Sequence, residues 1–268
     1  MSRIDAAFEQ LRRDGSSGLV IFITAGDPSL EATAELAPEI AAAGADIIEL
    51  GVPFSDPLAD GPIIQAAAHR SLAAGCTVNG VLECARKIRA RCDVPLVLMT
   101  SYNPVLRFGE RQFAAASHEA GVDGVLVSDL PPHESDAWIA AARDSGLDTV
   151  FLVAPTSPEE RIKAACKLGT GFVYCVSRTG VTGVQEQLPP DLAPLVERTR
   201  SFTDRPIGVG FGISKPDHVA AVTAIADAAI VGSAVVQIVA DDAPWLKRVA
   251  RATEFVRSLA EAKSGAVA

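Results

Sequence analysis

Glu49 is a carboxylate inside a strongly apolar run, "ADIIEL", where a solvated acid is not expected. The sequence predicts apolar neighbours for it, namely Phe22, Ile48, Leu50 and Leu98. Such surroundings desolvate a carboxyl group, which raises its pKa toward the range of a usable proton donor. By position alone, Glu49 is equally compatible with a structural role as a buried acid paired with Arg or Lys. General acid/base catalysis is the more specific hypothesis.

Asp60 lies in the Pro- and Gly-rich loop "PFSDPLADG" that follows this run. The next stretch, "GPIIQAAAHR", predicts a helix with Pro62 in its first turn. An isolated Asp at such a place commonly stabilises the helix N-terminus, where the helix dipole favours negative charge. Asp56, directly before Pro57, is interpreted as a turn former. These residues alone therefore favour a structural role for Asp60.

Three glycine-containing stretches, "SRTGVTG", "GVGFGIS" and "VGSAVV", follow the last three predicted strands. Each places glycines and small hydroxyl residues where backbone N–H groups would face an anion. The stretch "GVGFGIS" does not fit a dinucleotide-binding motif, because it comes late in the chain and its glycines are too closely spaced. In (β/α)8 barrels the loops after strands seven and eight commonly bind phosphate. The pattern favours a small phosphorylated substrate over a nucleotide.

Eight short runs rich in Val, Ile and Leu are predicted to be strands that hold these residues in place. The runs are "LVIFIT", "ADIIEL", "PLVLMT", "GVLVSD", "DTVFLV", "GFVYCV", "PIGVGF" and "DAAIVG". They lack a regular alternation of apolar and polar residues, as expected for parallel strands buried on both faces. Ala-rich stretches with helical spacing separate them, and several end in Gly, a frequent helix stop.

The order of these elements predicts an α/β protein, a (β/α)8 TIM barrel that forms a single domain over residues 1–268. The stretch "MSRIDAAFEQLRRDG" predicts an extra N-terminal helix that covers the barrel floor. The segment from Ser55 to Arg91 is longer than one crossover needs, so an extra helix is expected after strand two. Residues 219–240 are interpreted as helix, strand and helix, with an extra helix after strand eight, and not as a membrane span. The active site of such a barrel lies at the C-terminal ends of its strands.

Composition narrows the classes of partner. The formal net charge is −9, the isoelectric point is near 5.0 and no run of Lys or Arg occurs, which argues against nucleic acid and anionic membranes. The N-terminus lacks the features of a signal peptide. Five cysteines without a CxxC motif and four scattered histidines indicate a reducing cytoplasm and no metal site.

Five motifs, in order and spacing, resemble the tryptophan synthase α chain family over nearly the whole chain. They are "IELGVPFSDPLADGPIIQAA", "LMTSYNP", "GVDGVLVSDLP", "GFVYCVSRTGVTG" and "VGFGIS" followed by "VGSAVV". The resemblance implies a barrel that cleaves indole-3-glycerol phosphate to indole and glyceraldehyde 3-phosphate by a retro-aldol reaction. It also implies no cofactor in this chain, a tryptophan synthase β subunit that contains pyridoxal phosphate as partner, and an αββα tetramer in the cytoplasm.

The same resemblance assigns roles to single residues. Glu49 matches the acid/base that protonates indole C3, Asp60 the carboxylate that holds the indole N–H, and Tyr174 the tyrosine beside the indole. The remaining substrate-binding positions implied are Phe22, Ile64, Thr182, Gly183, Phe211, Gly212, Gly232 and Ser233, of which Gly183, Gly212, Gly232 and Ser233 match the phosphate-binding positions. Ser101 and Cys175 depart from the aromatic residues common in the family, and neither position is one that carries its chemistry.

Two alternatives remain open. In the first, the protein is an allosteric subunit that has lost its lyase activity, although the presence of Glu49 and Asp60 counts against this. In the second, it is another phosphate-handling barrel, either an isomerase or a lyase that releases free indole without a partner. The composition of "SRTGVTGVQEQLPP", residues 177–190, further predicts a lid that closes over the substrate.

Overall fold

Eight parallel strands form a closed barrel in the computed structural model, which describes residues 1–57, 60–177, 189–210 and 212–263. Each strand pairs with the next in sequence, and β8 pairs with β1 to close the ring. The strands are β1 Gly18–Thr24, β2 Ile47–Gly51, β3 Leu96–Thr100, β4 Gly124–Val127, β5 Asp148–Val153, β6 Val173–Val176, β7 Ile207–Gly210 and β8 Ala228–Val231. All eight predicted strands are therefore confirmed.

Helices pack around the outside of the barrel, except the first, which covers one end of it. They are α1 Arg3–Arg13, α2 Leu30–Ala42, α3 Pro62–Ala73, α4 Val78–Arg89, α5 Tyr102–Phe108, α6 Glu110–Glu119, α7 Asp136–Ser145, α8 Glu159–Leu168, α9 Leu192–Arg200, α10 Pro216–Thr223, α11 Ser233–Val239 and α12 Trp245–Glu261, with a short 3-10 helix at Pro132–Glu134. The extra helices after β2 and β8 are confirmed. Helix α5 was not predicted, because Pro104 suggests a loop, yet proline is tolerated in the first turn of a helix.

Residues 219–240 divide into the end of α10, strand β8 and helix α11, as the sequence predicted. Within the described ranges, the structure contains no helix with the length and apolar character needed to cross a membrane.

Side chains on the two faces of each strand pack into two different cores. In β1, Leu19 and Ile21 face the helices, whereas Val20 packs inside the barrel. Ile4 and Phe8 of α1 join the inner core from below, with 6.0 Å between the ring centroids of Phe8 and Phe172. The predicted cover of the barrel floor is thus confirmed, which leaves the opposite, C-terminal end of the strands as the open mouth.

Candidate active site

Glu49 lies on β2 and faces the inside of the barrel near its mouth. Its register partners are Phe22 on β1 and Val97 on β3. The residue is 1% exposed, and neither carboxylate oxygen has a hydrogen-bond partner among the described residues. A buried carboxyl group without a partner is costly, so this position is not explained by packing alone. The alternative of a structural pairing with Arg or Lys is not what the structure shows for Glu49.

The predicted neighbours of Glu49 need one correction. Ile48, Leu50 and Leu98 pack in the outer core against the helices, on the opposite face of the sheet from Glu49. Successive side chains of a strand point to opposite faces, so residues adjacent in sequence to Glu49 do not surround its carboxyl group. Of the four predicted neighbours, only Phe22 lies on the same side. The carboxyl group is nevertheless desolvated, because the barrel interior itself excludes water.

Burial raises the pKa of Glu49 to about 8, and the negative charge of Asp60 contributes to the same effect. Asp60 is half-buried in the loop that follows β2. Its own pKa is also raised by desolvation, so its place in a loop does not leave it unperturbed. Glu49 is fully buried whereas Asp60 is only half-buried, so desolvation opposes ionisation of Glu49 more strongly and Asp60 ionises first. At pH values between the pKa of Asp60 and that of Glu49, Glu49 is protonated while Asp60 is ionised. Acid catalysis with charge stabilisation needs this pair of protonation states.

Tyr174 lies on β6 and shares the electrostatic environment of the two carboxyl groups. Desolvation raises the pKa of its hydroxyl well above the usual value, and the charges of Glu49 and Asp60 raise it further. Its ring stacks on Phe172 with 6.3 Å between ring centroids and 29° between ring planes. The structure thus brings Tyr174 to the same site as a neutral hydroxyl group on a fixed ring.

A cavity at the barrel mouth joins the predicted residues Phe22, Asp60 and Ile64. Four hydroxyl residues also line this cavity: Thr24, Thr100, Ser101 and Ser128. Thr24 is buried, and its hydroxyl group has no hydrogen-bond partner in the part of the chain that the structure describes. None of these four hydroxyl residues was predicted from the sequence to belong to the site, although each lies at or just beyond the C-terminal end of a strand. Their location at strand ends, where the active site of such a barrel lies, is the feature that could have identified them.

The glycines predicted to bind phosphate differ in what surrounds them. Gly212 has a φ of +85°, and a Cβ added there would have no atom within 4 Å, so its backbone faces open space. A Cβ on Gly232 would lie 3.3 Å from the Cβ of Phe22, so this glycine is also needed for packing. Ser233 is the first residue of α11. Thr182, Gly183 and Phe211 lie outside the described residues, as do positions 178–188 of the predicted lid.

The described residues hold no group of three or more His, Cys, Asp or Glu side chains that would bind a metal ion. What the site offers is a protonated acid, a second carboxylate that ionises before it, a neutral tyrosine hydroxyl and an apolar wall that includes Phe22 and Ile64. This arrangement suits proton transfer to a flat, apolar substrate that acquires positive charge.

Comparisons with known proteins agree with this site. Residues 8–264 match the family model described as tryptophan synthase alpha chain. The chain is 48% identical to the tryptophan synthase alpha chain of Solibacter usitatus over 259 residues, which cover 97% of each chain. The crystal structure of tryptophan synthase subunit alpha from Legionella pneumophila is 34% identical and superposes with a TM-score of 0.90, covering 98% of each chain. A chain from the tryptophan synthase a2b2 complex of Pyrococcus furiosus is 38% identical, with a TM-score of 0.85 over 91% of this chain and 97% of that one. The protein belongs to the tryptophan synthase α chain family.

Proposed function

We propose that Glu49 and Asp60 carry out the lyase reaction of the tryptophan synthase α chain family in this protein. The family cleaves indole-3-glycerol phosphate to indole and glyceraldehyde 3-phosphate. The observation that supports the assignment most strongly is the buried carboxyl group of Glu49, which has no partner and stays protonated to about pH 8 beside Asp60. A protonated acid and an ionised one at neutral pH are the two forms that this reaction needs.

The first step is protonation of indole C3 by Glu49. The bond between C3 and the glycerol carbon cannot break easily while the ring is aromatic, and protonation converts the ring to an indolenine with positive charge at nitrogen. Asp60, ionised, accepts a hydrogen bond from the indole N–H and stabilises this charge. An anion placed where charge develops acts strongly in a site that excludes water.

The second step is cleavage of the C–C bond. The hydroxyl group on the glycerol carbon loses its proton, its carbon becomes the aldehyde carbon, and the electrons of the C–C bond return to the indole ring. The proton given to C3 stays there as the C3–H of indole. Glu49, now a carboxylate, or a water molecule accepts the hydroxyl proton. When Glu49 accepts it, the site returns to its starting protonation state.

Substrate binding is proposed for the other residues that the sequence indicated. Phe22, Ile64 and Tyr174 provide apolar surface for the indole ring, supported by the position of the first two in the cavity and of Tyr174 beside the carboxyl groups. Gly212 is proposed for the phosphate, because its open backbone permits close approach of an anion. The other substrate-binding residues proposed are Thr182, Gly183, Phe211, Gly232 and Ser233.

A β subunit is the partner. The relative from Pyrococcus furiosus was solved as part of an a2b2 complex, and this chain is similar to it over 91% of its length. In the family, pyridoxal phosphate belongs to the β subunit and the α chain has no cofactor. An αββα assembly located in the cytoplasm is proposed, and the five cysteines, all free thiols, are consistent with a reducing compartment.

The test is release of indole from indole-3-glycerol phosphate by the purified protein, measured with and without a cognate β chain. Indole and glyceraldehyde 3-phosphate should form in equal amounts, and the β chain should raise the rate, because docking orders catalytic loops. No indole under either condition would contradict the proposal and favour a subunit without lyase activity. Indole at a rate that saturating β chain leaves unchanged would favour the lyase that acts alone.

A further inference from the structure

Helix α3 begins directly after Asp60 without a side-chain cap. Its N-cap is Gly61, which has no side chain to bond the first backbone N–H groups. Instead, the side chain of Gln65 folds back over the first turn, and its Nε2 donates a hydrogen bond to the backbone carbonyl of Asp60 at 2.8 Å. The backbone N–H of Gln65 donates to the carbonyl of Gly61 at 3.0 Å. Gln65 thus donates hydrogen bonds to both Asp60 and Gly61, the two residues that precede α3.

The other end of α3 is fixed to the loop after β1. Arg70 donates two hydrogen bonds to Asp27, from Nε at 2.9 Å and from Nη2 at 2.6 Å. The carboxylate of Asp27 has a side-chain exposure of only 3%, so the ion pair is shielded from solvent on one side. Ser71 adds a hydrogen bond of 2.6 Å to the carbonyl of Ala25. Bidentate Arg–carboxylate pairs fix the relative orientation of the two side chains in addition to pairing their charges.

We propose that Gln65 is a positioning residue for Asp60, and that the Asp27–Arg70 ion pair supports it by holding α3 against the end of β1. The inference rests on the proposed function, since it concerns the carboxylate assigned to the indole N–H. Gln65 is not proposed to touch the substrate or the reacting atoms. It acts on the peptide group of Asp60, and Ile64, its neighbour on α3, lines the cavity together with that residue.

Fixing the Asp60 peptide matters because Asp60 sits in a loop and no described hydrogen bond holds its carboxylate. The orientation of a side chain follows from its backbone, so a free carbonyl at this position lets the carboxylate turn away from the indole nitrogen. A misplacement of about 1 Å at a reacting centre costs on the order of 10²-fold in rate. The hydrogen bond from Gln65 to the carbonyl of Asp60 restrains this movement of the carboxylate.

Movement of Asp60 also has an electrostatic consequence that can be measured. Among the described residues, the charged group that raises the pKa of Glu49 is Asp60, and the charges of both carboxyl groups in turn raise the pKa of Tyr174. The register partners of Glu49, Phe22 and Val97, carry no charge. If Asp60 turns away, its charge acts less on Glu49, and Glu49 loses its proton at lower pH. A purely structural role for Gln65 would not move this transition.

The experiment compares Gln65→Met with Gln10→Met in the full chain mixed with its β chain. Methionine keeps the length and flexibility of glutamine and removes the donor. Gln10 is the matched control, because it is an exposed glutamine on α1 that also makes side-chain hydrogen bonds, to Asp14 and Arg13. Gln65→Met should lower kcat for indole release by about 10-fold to 100-fold, leave KM within about 3-fold, and move the basic limb of the kcat/KM profile to lower pH. Gln10→Met should match the unmodified protein in all three.

Arg70→Lys tests whether the ion pair with Asp27 holds α3 in place, because lysine keeps the positive charge and loses the bidentate hydrogen bonding. Its control is Arg86→Lys, at an exposed ion pair with Glu83 on α4. Arg70→Lys should lower kcat in the same direction by a smaller factor, whereas Arg86→Lys should have no effect. If Gln65→Met does not fold by circular dichroism, Gln65→Leu replaces it.

A folded Gln65 variant with unchanged kcat and an unmoved basic limb would overturn the inference. So would a rise in KM alone, since that result assigns Gln65 to substrate binding. Asp60→Asn, measured in parallel, separates this failure from failure of the proposed function. A fully active Asp60→Asn removes the role of Asp60 itself, whereas an impaired Asp60→Asn beside an unaffected Gln65→Met refutes only the positioning role.

Discussion

Glu49 and Phe22 are direct partners in the β1–β2 ladder, so the proposed proton donor and an aromatic ring of the substrate wall lie side by side in the barrel mouth. The ring of Phe22 occupies the space above Gly51, two residues beyond Glu49 on the same face of β2. A Cβ on Gly232 would also approach Phe22, at 3.3 Å. The position of this ring therefore depends on two glycines as well as on its own strand.

Gly51→Ala should displace the Phe22 ring, because the added Cβ would overlap it. We expect KM for indole-3-glycerol phosphate to rise by about 10-fold and the free energy of unfolding to fall by about 1–3 kcal/mol, as is typical of an overpacked core. Steady-state kinetics and urea unfolding check both values. Unchanged kinetics in a variant that is destabilised would show that the Phe22 ring does not contact the substrate.

Stability should depend on pH through Glu49. The folded protein keeps this proton up to about pH 8, whereas an unfolded chain loses it near the ordinary value of 4.5. The folded state binds more protons between these limits, so Glu49 makes the protein less stable as pH rises from 4.5 to 8. At about 1.4 kcal/mol per pH unit, the effect is on the order of 5 kcal/mol.

Glu49→Gln removes this titration. Its free energy of unfolding relative to the unmodified protein should therefore increase from pH 4.5 to pH 8, as measured by urea unfolding at a series of pH values. Glu83→Gln, at an exposed residue of α4, is the control and should show no such trend. A constant difference between Glu49→Gln and the unmodified protein across this range would show that Glu49 titrates normally.

Asp60→Asn keeps the size and hydrogen-bonding capacity of the side chain and removes its charge. We expect kcat to fall by about 10²-fold to 10³-fold, with a smaller effect on substrate affinity, because the charge acts mainly when the indolenine forms. The pKa of Glu49 should fall at the same time, since the Asp60 charge helps to raise it. Asp144→Asn on the exposed surface of α7 is the control. A loss of affinity with normal kcat would refute the charge-stabilising role.

Gly212→Ala should weaken binding of the phosphate group, since the added methyl group enters open space at the barrel mouth. Strain from the left-handed backbone is a separate effect of this substitution. Gly15→Ala controls for it, because Gly15 has a φ of +62°, no atom within 4 Å of an added Cβ, and a place beside the barrel floor. Calorimetry with glycerol 3-phosphate should show about 10-fold weaker binding for Gly212→Ala only. Equal affinities for the two variants would place the phosphate elsewhere.

The sequence predicted the eight strands and Glu49 because both depend on local pattern. Runs of Val, Ile and Leu are long enough to identify strands, and an acid within one of them is conspicuous. The same runs did not reveal which face each residue occupies, since both faces of a barrel strand are buried. For this reason Ile48 and Leu50 were wrongly expected to surround Glu49.

Other features depend on residues that are distant in sequence. Thr24, Thr100 and Ser128 come together only when β1, β3 and β4 close into the barrel. The bond from Gln65 to the carbonyl of Asp60 is local, yet glutamine in an amphipathic helix is too common to predict it. The role of Asp60 and the choice of single glycines within the glycine-containing stretches came from family resemblance, because an isolated acid or glycine in a loop has many structural explanations.

The role of Glu49 as proton donor is tested by the rate of indole release from indole-3-glycerol phosphate by Glu49→Gln, with the β chain present and with Glu83→Gln as control. Glutamine fills the same space and cannot protonate C3. We expect Glu49→Gln to fold and its kcat to be lower by at least about 10²-fold to 10⁴-fold, the usual contribution of a general acid, while Glu83→Gln is unaffected. A folded Glu49→Gln that releases indole at a near-normal rate would contradict this role.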